Sequence, residues 1–443
     1  MASQVGLTSS GRAWPVSRIK WIVGLLMGLV LGVLWHTGQE SGPGMQTPIA
    51  GEAGAGLLTA TLTLPPGAPT TPSPTPLVTP APPGAVFALA WFPKPPLDGT
   101  GPDRVSAEHG YIELTGQADL PFRAALRDSG YRGPVYDYVL ATSVEGPGPY
   151  KNNAAACKPG YHPNDNNLAW GVDDFCTYIH PHESWFLHNS RGERIAGDYA
   201  GDGHWQYLMN PADSGWRSFA YGRLREIRDK LGYDGLRLDN LDLDLHRARL
   251  SMRTSDGHVQ EFGDDTAWRA AMQGWLAGLR ARLGAWPVWA NLTSGDAGLA
   301  WDAYLPYLDG GLEESFAVHW LDGWDDPATW AADMDRAETW LGAGKSLIMV
   351  GQGARDDLER MRFTLASYML VAHADQAFYR YSRYDTYYHE MWLYPEFDTA
   401  RALGAPAGPR REVRPGLWRR AFAHGYVEVN LAAHRGQLVL TGP

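Results

Sequence analysis

Eight short apolar runs of β type, interleaved with helical patterns, constrain this chain more than any other feature. They are "AVFALAWF" (85–92), "GPVYDYVL" (133–140), "SWFLHN" (184–189), "YDGLRLDN" (233–240), "WPVWANL" (286–292), "GGLEESFAV" (310–318), "KSLIMVGQ" (345–352) and "QAFYRYS" (376–382). Between them, "DSGWRSFAYGRLREIRDKLG" carries apolar residues at helical spacing and stops at Gly232, a residue suited to a left-handed cap. In "DDTAWRAAMQGWLAGLRARLG", Trp268, Met272, Trp275 and Leu279 share one face, and the acidic start and basic end suit the helix dipole. Asp326 and Pro327 open a third helix as cap and first-turn residue. This alternation predicts an α/β chain folded as a (β/α)8 TIM barrel over 85–412. An open doubly wound sheet is the alternative, but no glycine-rich nucleotide loop follows the first strand. Residues 413–443 predict a short β extension of two or three antiparallel strands, turning at His434 to Gly436.

The start of the chain has a different character. Arg12, Arg18 and Lys20 precede the apolar run from Trp21 to Trp35, with Glu40 the first acidic residue. Residues 1–20 therefore read as a cytoplasmic, positively charged region, and 21–36 as a signal peptide core or a short uncleaved anchor. The lack of a small-x-small cleavage site after Trp35 favours the anchor. Residues 42–84, rich in Pro, Thr, Gly and Ala, form a stalk that cannot bury enough apolar surface to fold. The expectation is an extracytoplasmic domain, held to the membrane by its N-terminal segment or secreted.

A formal net charge of −11 argues against nucleic acid as a partner. Cys157 and Cys176 are the only cysteines, and an exported chain can join them in one disulfide. Closing a loop of about 18 residues stabilises by roughly 3 kcal/mol in the chain-entropy model. Their spacing is not that of a zinc site. "DNLDLDL" lacks the glycine and distal Glu of a calcium loop, so neither metal nor cofactor is expected.

In a barrel, chemistry gathers at the C-terminal ends of the strands. Those ends offer Asp239 and Asn240, then Asn291, then Glu313 and Glu314, then Gln352. Two carboxylates on different strands suit sugar hydrolysis, one protonating the leaving oxygen and the other attacking or activating water. Arg237 and Asp239 point the same way along their strand, and the cation favours an ionised Asp239. Glu314, near Phe316, Trp320 and Trp324, is placed to keep a raised pKa and act as acid. Glu313 is its rival, decided by strand parity. Asn210 and Asn291 are candidates to orient sugar hydroxyls, and Trp91, Trp205, Trp289 and Trp320 are candidate sugar platforms; turn and core roles compete for each.

The run from Tyr207 to Asn240, with "WANLTSG" and "DGGLEESFA", resembles the glycoside hydrolase-like barrels of family fifteen and, more distantly, endo-α-1,4-polygalactosaminidase barrels. The resemblance spans roughly residues 85 to 430 and implies Asp239 and Glu314 as the acidic pair. "GLRLDN" is also similar to the fourth-strand segment of the α-amylase family. The seventh strand, ending "IMVGQG" without a His-Asp pair, departs from that pattern. The expectation is a glycoside hydrolase acting on an extracellular polysaccharide or surface glycan. The alternative is a non-catalytic glycan-binding or cell-wall scaffold on the same barrel; metal-dependent deacetylation would have to use His180 and His182.

Overall fold

A computed structural model describes residue 84 and residues 86–148, 160–198, 204–293, 301–319, 323–383 and 389–441. The expected cytoplasmic segment, anchor and stalk, together with Cys157 and Trp320, lie outside the described residues. Among the described residues, no helix is long and apolar enough to cross a membrane.

Eight parallel strands close into a barrel. In chain order they are β1 (Leu89–Trp91), β2 (His109–Leu114), β3 (Val135–Leu140), β7 (Gly235–Asp242), β8 (Val288–Thr293), β9 (Gly310–Glu313), β10 (Ser346–Gln352) and β11 (Ala377–Ser382). Seven of the eight expected runs supply barrel strands. The exception is 184–189, which forms a 3-10 turn (Glu183–Trp185) and two isolated bridges, Phe186 to Met209 and His188 to Arg194. Its apolar residues Phe186 and Leu187 fill the core of an insertion instead. The strand missing from the expectation is β2, "HGYIEL", whose inward-facing side chains are largely polar.

The insertion runs from β4 (Ser143–Pro147) through β5 (Ala196–Asp198) to β6 (His204–Leu208), an antiparallel sheet in the order β4-β6-β5. It leaves the barrel after β3 and so stands at the C-terminal face of the strands. Of the two cysteines, Cys176 lies in a π-helical turn of this insertion, Phe175–Ile179.

Helices α1 (Pro102–Glu108), α2 (Leu120–Asp128), α3 (Ser214–Glu226), α4 (Asp265–Leu283), α5 (Pro327–Gly342), α6 (Leu358–Val371) and α7 (Pro395–Ala402) surround or flank the barrel. The caps follow the sequence closely. Asp213 accepts from Gly215 N and Trp216 N at the start of α3, Asp264 from Ala267 N at α4, and Asp326 from Ala328 N and Thr329 N at α5. Each such cap contributes about 1 kcal/mol. Beyond α3, the turn Ile227–Leu231 ends at Gly232 with φ 70°, the expected left-handed stop. Helix α6 is buried almost all round, because a C-terminal sheet covers the side that the barrel leaves open. That sheet has four strands, β12 (Arg411–Arg414), β13 (Leu417–Phe422), β14 (Gly425–Asn430) and β15 (Arg435–Leu440). The last two turn through His434, as expected. A Cβ on Gly436 would strike the Arg362 carbonyl, so the bare backbone permits this approach.

Candidate active site

Side-chain alternation sorts the barrel interior into tiers. Tyr111, Tyr136, Trp289 and Phe378, from four different strands, make an aromatic floor. Tyr111 lies 4.8 Å from Tyr136 and 4.7 Å from Trp289 between ring centres, and Phe378 lies 5.9 Å from Trp289. Two residues further along the same strands come Glu113, Tyr138 and Asn291, with Arg237 on β7 between β3 and β8. The rings close the barrel below; the polar tier faces its mouth.

Arg237 is the hub of that tier. Its Nε and Nη2 donate to the two oxygens of Glu113 at 2.9 and 2.8 Å, and its Nη1 donates to Asp239 Oδ1 at 2.5 Å. The guanidinium also lies 4.3 Å from the centre of the Tyr138 ring. Asp239 Oδ2 accepts from Tyr138 Oη at 2.8 Å and from Asn240 Nδ2 at 3.1 Å. Burial, then the charge of Asp239, raises the Tyr138 phenol well above its ordinary value, so the hydroxyl keeps its proton and donates it to the carboxylate.

The strand itself changes shape at this point. Pairing of β7 with β8 shifts between Leu238 and Leu241, and Asn240 adopts a left-handed φ of 52°. This bulge turns Asp239 and Asn240 toward the mouth, a use of irregularity frequent beside functional sites. Thr142 Oγ1 holds the Asn240 carbonyl at 2.7 Å and itself accepts from Arg247 Nη2 at 2.6 Å. Arg247 is paired with the buried Asp242, and Asp244 accepts from His246 N, so these acids of "DNLDLDL" have protein partners. Among the described residues, no group of three or more His, Cys, Asp or Glu could hold a metal.

Glu313 and Glu314 separate by parity. Glu313 pairs with Arg336 of α5, on the helix side of the barrel. Glu314 turns inward, where its Oε2 accepts from Asn291 Nδ2 at 2.9 Å. The same nitrogen donates to Asp239 Oδ1 at 3.1 Å, so one amide joins the two carboxylates. Gln352 Nε2 donates to the Glu314 carbonyl at 2.8 Å, fixing the backbone from the next strand. Burial, and then the charge of Asp239, pushes Glu314 up to about 8, against the opposing effect of the Asn291 hydrogen bond.

The structure thus brings together Arg237, Asp239, Asn240, Asn291 and Glu314, with Gln352 behind them. It does not bring the three described platforms, Trp91, Trp205 and Trp289, to the mouth. Trp91 is fully buried beneath the Arg380 guanidinium, with its indole N–H bonded to the Lys94 carbonyl at 2.7 Å. Trp289 belongs to the floor, and Trp205 is buried in the insertion. Asn210 caps its own turn, accepting from Ala212 N at 3.0 Å and donating to the Ser184 carbonyl. His180 contacts Arg194, and His182 stacks on Trp185, so the "HPH" pair is engaged in packing. Sequence reasoning missed Glu113 and Tyr138. Their signals, an acid inside "YIEL" and the alternating Tyr136 and Tyr138 in "VYDYVL", are visible only once both strands are assigned.

Two carboxylates joined by an amide at the mouth of a (β/α)8 barrel define a glycoside hydrolase type of site. Residues 150–426 match the model of hypothetical glycosyl hydrolase family 15, and the chain belongs to that family. No curated protein matches it in sequence. Similar solved structures include TtGalA, an alpha-galactosidase from Thermus thermophilus, at 17% identity and TM-score 0.44, covering 79% of this chain and 67% of that one. The glycoside hydrolase domain of PelA from Pseudomonas aeruginosa is similar at 16% identity and TM-score 0.41, covering 70% and 99%. An alpha-amylase from Geobacillus thermoleovorans is similar at 11% identity and TM-score 0.38, covering 70% and 68%.

Proposed function

We propose that this chain hydrolyses glycosidic bonds of an extracellular polysaccharide or surface glycan with retention of anomeric configuration, Asp239 acting as nucleophile and Glu314 as general acid. The observation that carries this reading is the amide nitrogen shared by the two carboxylates. The two N–H bonds of an amide diverge by about 120°, which separates the accepting oxygens by about 5 Å. That spacing suits direct attack by a carboxylate; the roughly 6.5–9.5 Å of inverting enzymes leaves room for a water.

In this mechanism Glu314, protonated near neutral pH, gives its proton to the glycosidic oxygen as the bond to the anomeric carbon breaks. Asp239 forms a bond to that carbon, and Arg237, Tyr138, Asn240 and Asn291 hold its oxygens in line. Once Asp239 is esterified its charge is gone, and with it one of the causes that raised Glu314. Glu314, left as a carboxylate by the first step, is then buried without a second negative charge beside it, and it accepts a proton from the water that releases the sugar.

The test is reducing-end release from a panel of bacterial and plant polysaccharides, with the wild type compared against Asp239→Asn and Glu314→Gln. Both folded variants should lose cleavage, and proton NMR of the first product should reveal the retained anomer. Cleavage by either variant sinks the role assignment. Binding without turnover by the wild type would favour a glycan-binding scaffold instead. The apolar run Trp21–Trp35 and the stalk behind it support an extracytoplasmic, membrane-held location. Fractionation of cells expressing the full chain tests that, since recovery in the cytoplasmic fraction contradicts it.

A further inference from the structure

We propose that Glu113 is a positioning residue for the nucleophile, acting on Asp239 through Arg237; this rests on the reading of Asp239 as nucleophile. Glu113 sits at the middle of the barrel, on the strand that sequence patterns did not reveal, and is wholly buried. A carboxylate there has no water to solvate it, so its position makes sense only with a partner that repays burial. That partner is Arg237, itself 4% exposed and bound through two separate nitrogens to the two Glu113 oxygens. Tyr111 from the floor donates a further hydrogen bond to Glu113 Oε2 at 3.2 Å.

The paired arrangement fixes the guanidinium plane. With Nε and Nη2 committed to Glu113 and the Tyr138 ring against its face, Arg237 has its Nη1 directed at Asp239 Oδ1. An arginine on a flexible stem, without Glu113, could swing to bind Asp239 by both prongs and cover the oxygen that must attack. Glu113 therefore does two things at once. It limits Asp239 to one contact from the cation, and it shares the positive charge that would otherwise quench the nucleophile.

The deciding experiment reads the Arg237 guanidinium directly by nitrogen-15 NMR of the full chain, with Arg237→Lys used to assign its Nε–H signal. The signal should exchange slowly with solvent in the wild type and in Asp239→Asn, and become at least tenfold faster in Glu113→Gln. Glu113→Asp, which keeps the charge but shortens the reach, should move it the same way by less, and serves if the Gln variant does not fold. Equal protection in a folded Glu113 variant overturns the inference, as does loss of protection in Asp239→Asn as large as in Glu113→Gln. On whichever glycan the wild type cleaves, Glu113→Gln should lower kcat roughly ten- to hundredfold with KM little changed. A wild type that cleaves nothing would count against the hydrolase reading alone, because the exchange measurement needs no substrate.

Discussion

Asp239 and Glu314 share a single hydrogen-bond donor, the Nδ2 of Asn291. The two acids are therefore not merely neighbours: one side chain sets both the distance between them and the direction in which each oxygen points. Asn291→Ala should lower kcat by roughly a hundredfold, as expected for misplacing reacting groups by about 1 Å. It should leave thermal unfolding within a few degrees of wild type, because Asn291 belongs to the polar tier and not to the aromatic floor. Steady-state kinetics beside calorimetry checks this, and a fully active Asn291→Ala would remove the bridge from the mechanism.

The raised Glu314 carries a prediction for pH. The activity profile should have an alkaline limb near pH 8, where the acid loses its proton. In Asp239→Asn the carboxyl signal of Glu314, followed by carbon-13 NMR, should titrate at lower pH than in the wild type because the neighbouring charge is absent.

The same shift has a consequence for stability, and the sign is opposite to that of an ordinary ion-paired acid. Between 4.5 and about 8 the folded protein keeps a proton on Glu314 that the unfolded chain has released. Stability from this group is thus fully present below pH 4.5 and is lost as pH rises toward 8. Urea unfolding of Glu314→Gln should fall off less across that window than the wild type does. Parallel pH dependence in the two proteins would contradict the assignment.

Much of this site was legible in the sequence because strand alternation is a rigid rule. Arg237 and Asp239, two apart in an apolar strand, had to face one side, and their direct contact follows. The choice between Glu313 and Glu314 needed the phase of β9, which is set by Gly310 lying over Trp289 and Gly311 lying against Trp340. Strand β2 was hidden because Tyr111 and Glu113 point into the barrel as a hydrogen-bonded pair, so burial there is not written in apolar letters. "SWFLHN" misled for the converse reason, since a buried insertion produces the same apolar run. Trp289 misled by size: a ring large enough for a sugar platform is also what a barrel floor beside Gly310 requires.

The insertion has a titrating anchor of its own. His188 lies between Glu183 and Glu261, with ring nitrogens 2.7 and 2.6 Å from their oxygens. Burial alone would lower its pKa, but the hydrogen bonds to both acids outweigh burial and raise it to about 9. Its contribution to stability is complete below pH 6.5 and is lost as pH rises through about 9. His188→Gln should cost on the order of 2 kcal/mol at pH 6 and clearly less at pH 9.5. Denaturant titrations at the two pH values measure this, and a cost independent of pH would show that packing, not charge, holds the insertion.

The floor makes the last prediction, and it turns on two glycines that look alike in sequence. A Cβ on Gly235 would press into the Tyr136 ring and come within 2.8 Å of the Pro287 carbonyl, so the strand has nowhere to put it. Gly222, on α3, has nothing within 4 Å of such a Cβ. Gly235→Ala should therefore destabilise by about 2 kcal/mol through overpacking. Gly222→Ala should stabilise by about 0.5 to 1 kcal/mol through helix propensity and a less flexible unfolded chain. Because Tyr136 and Tyr138 lie two apart on one face of β3, Gly235→Ala should also lower kcat, whereas Gly222→Ala should not. Unfolding and kinetics on the same two variants separate the cases, and equal behaviour of the pair would mean that the floor does not constrain the site above it.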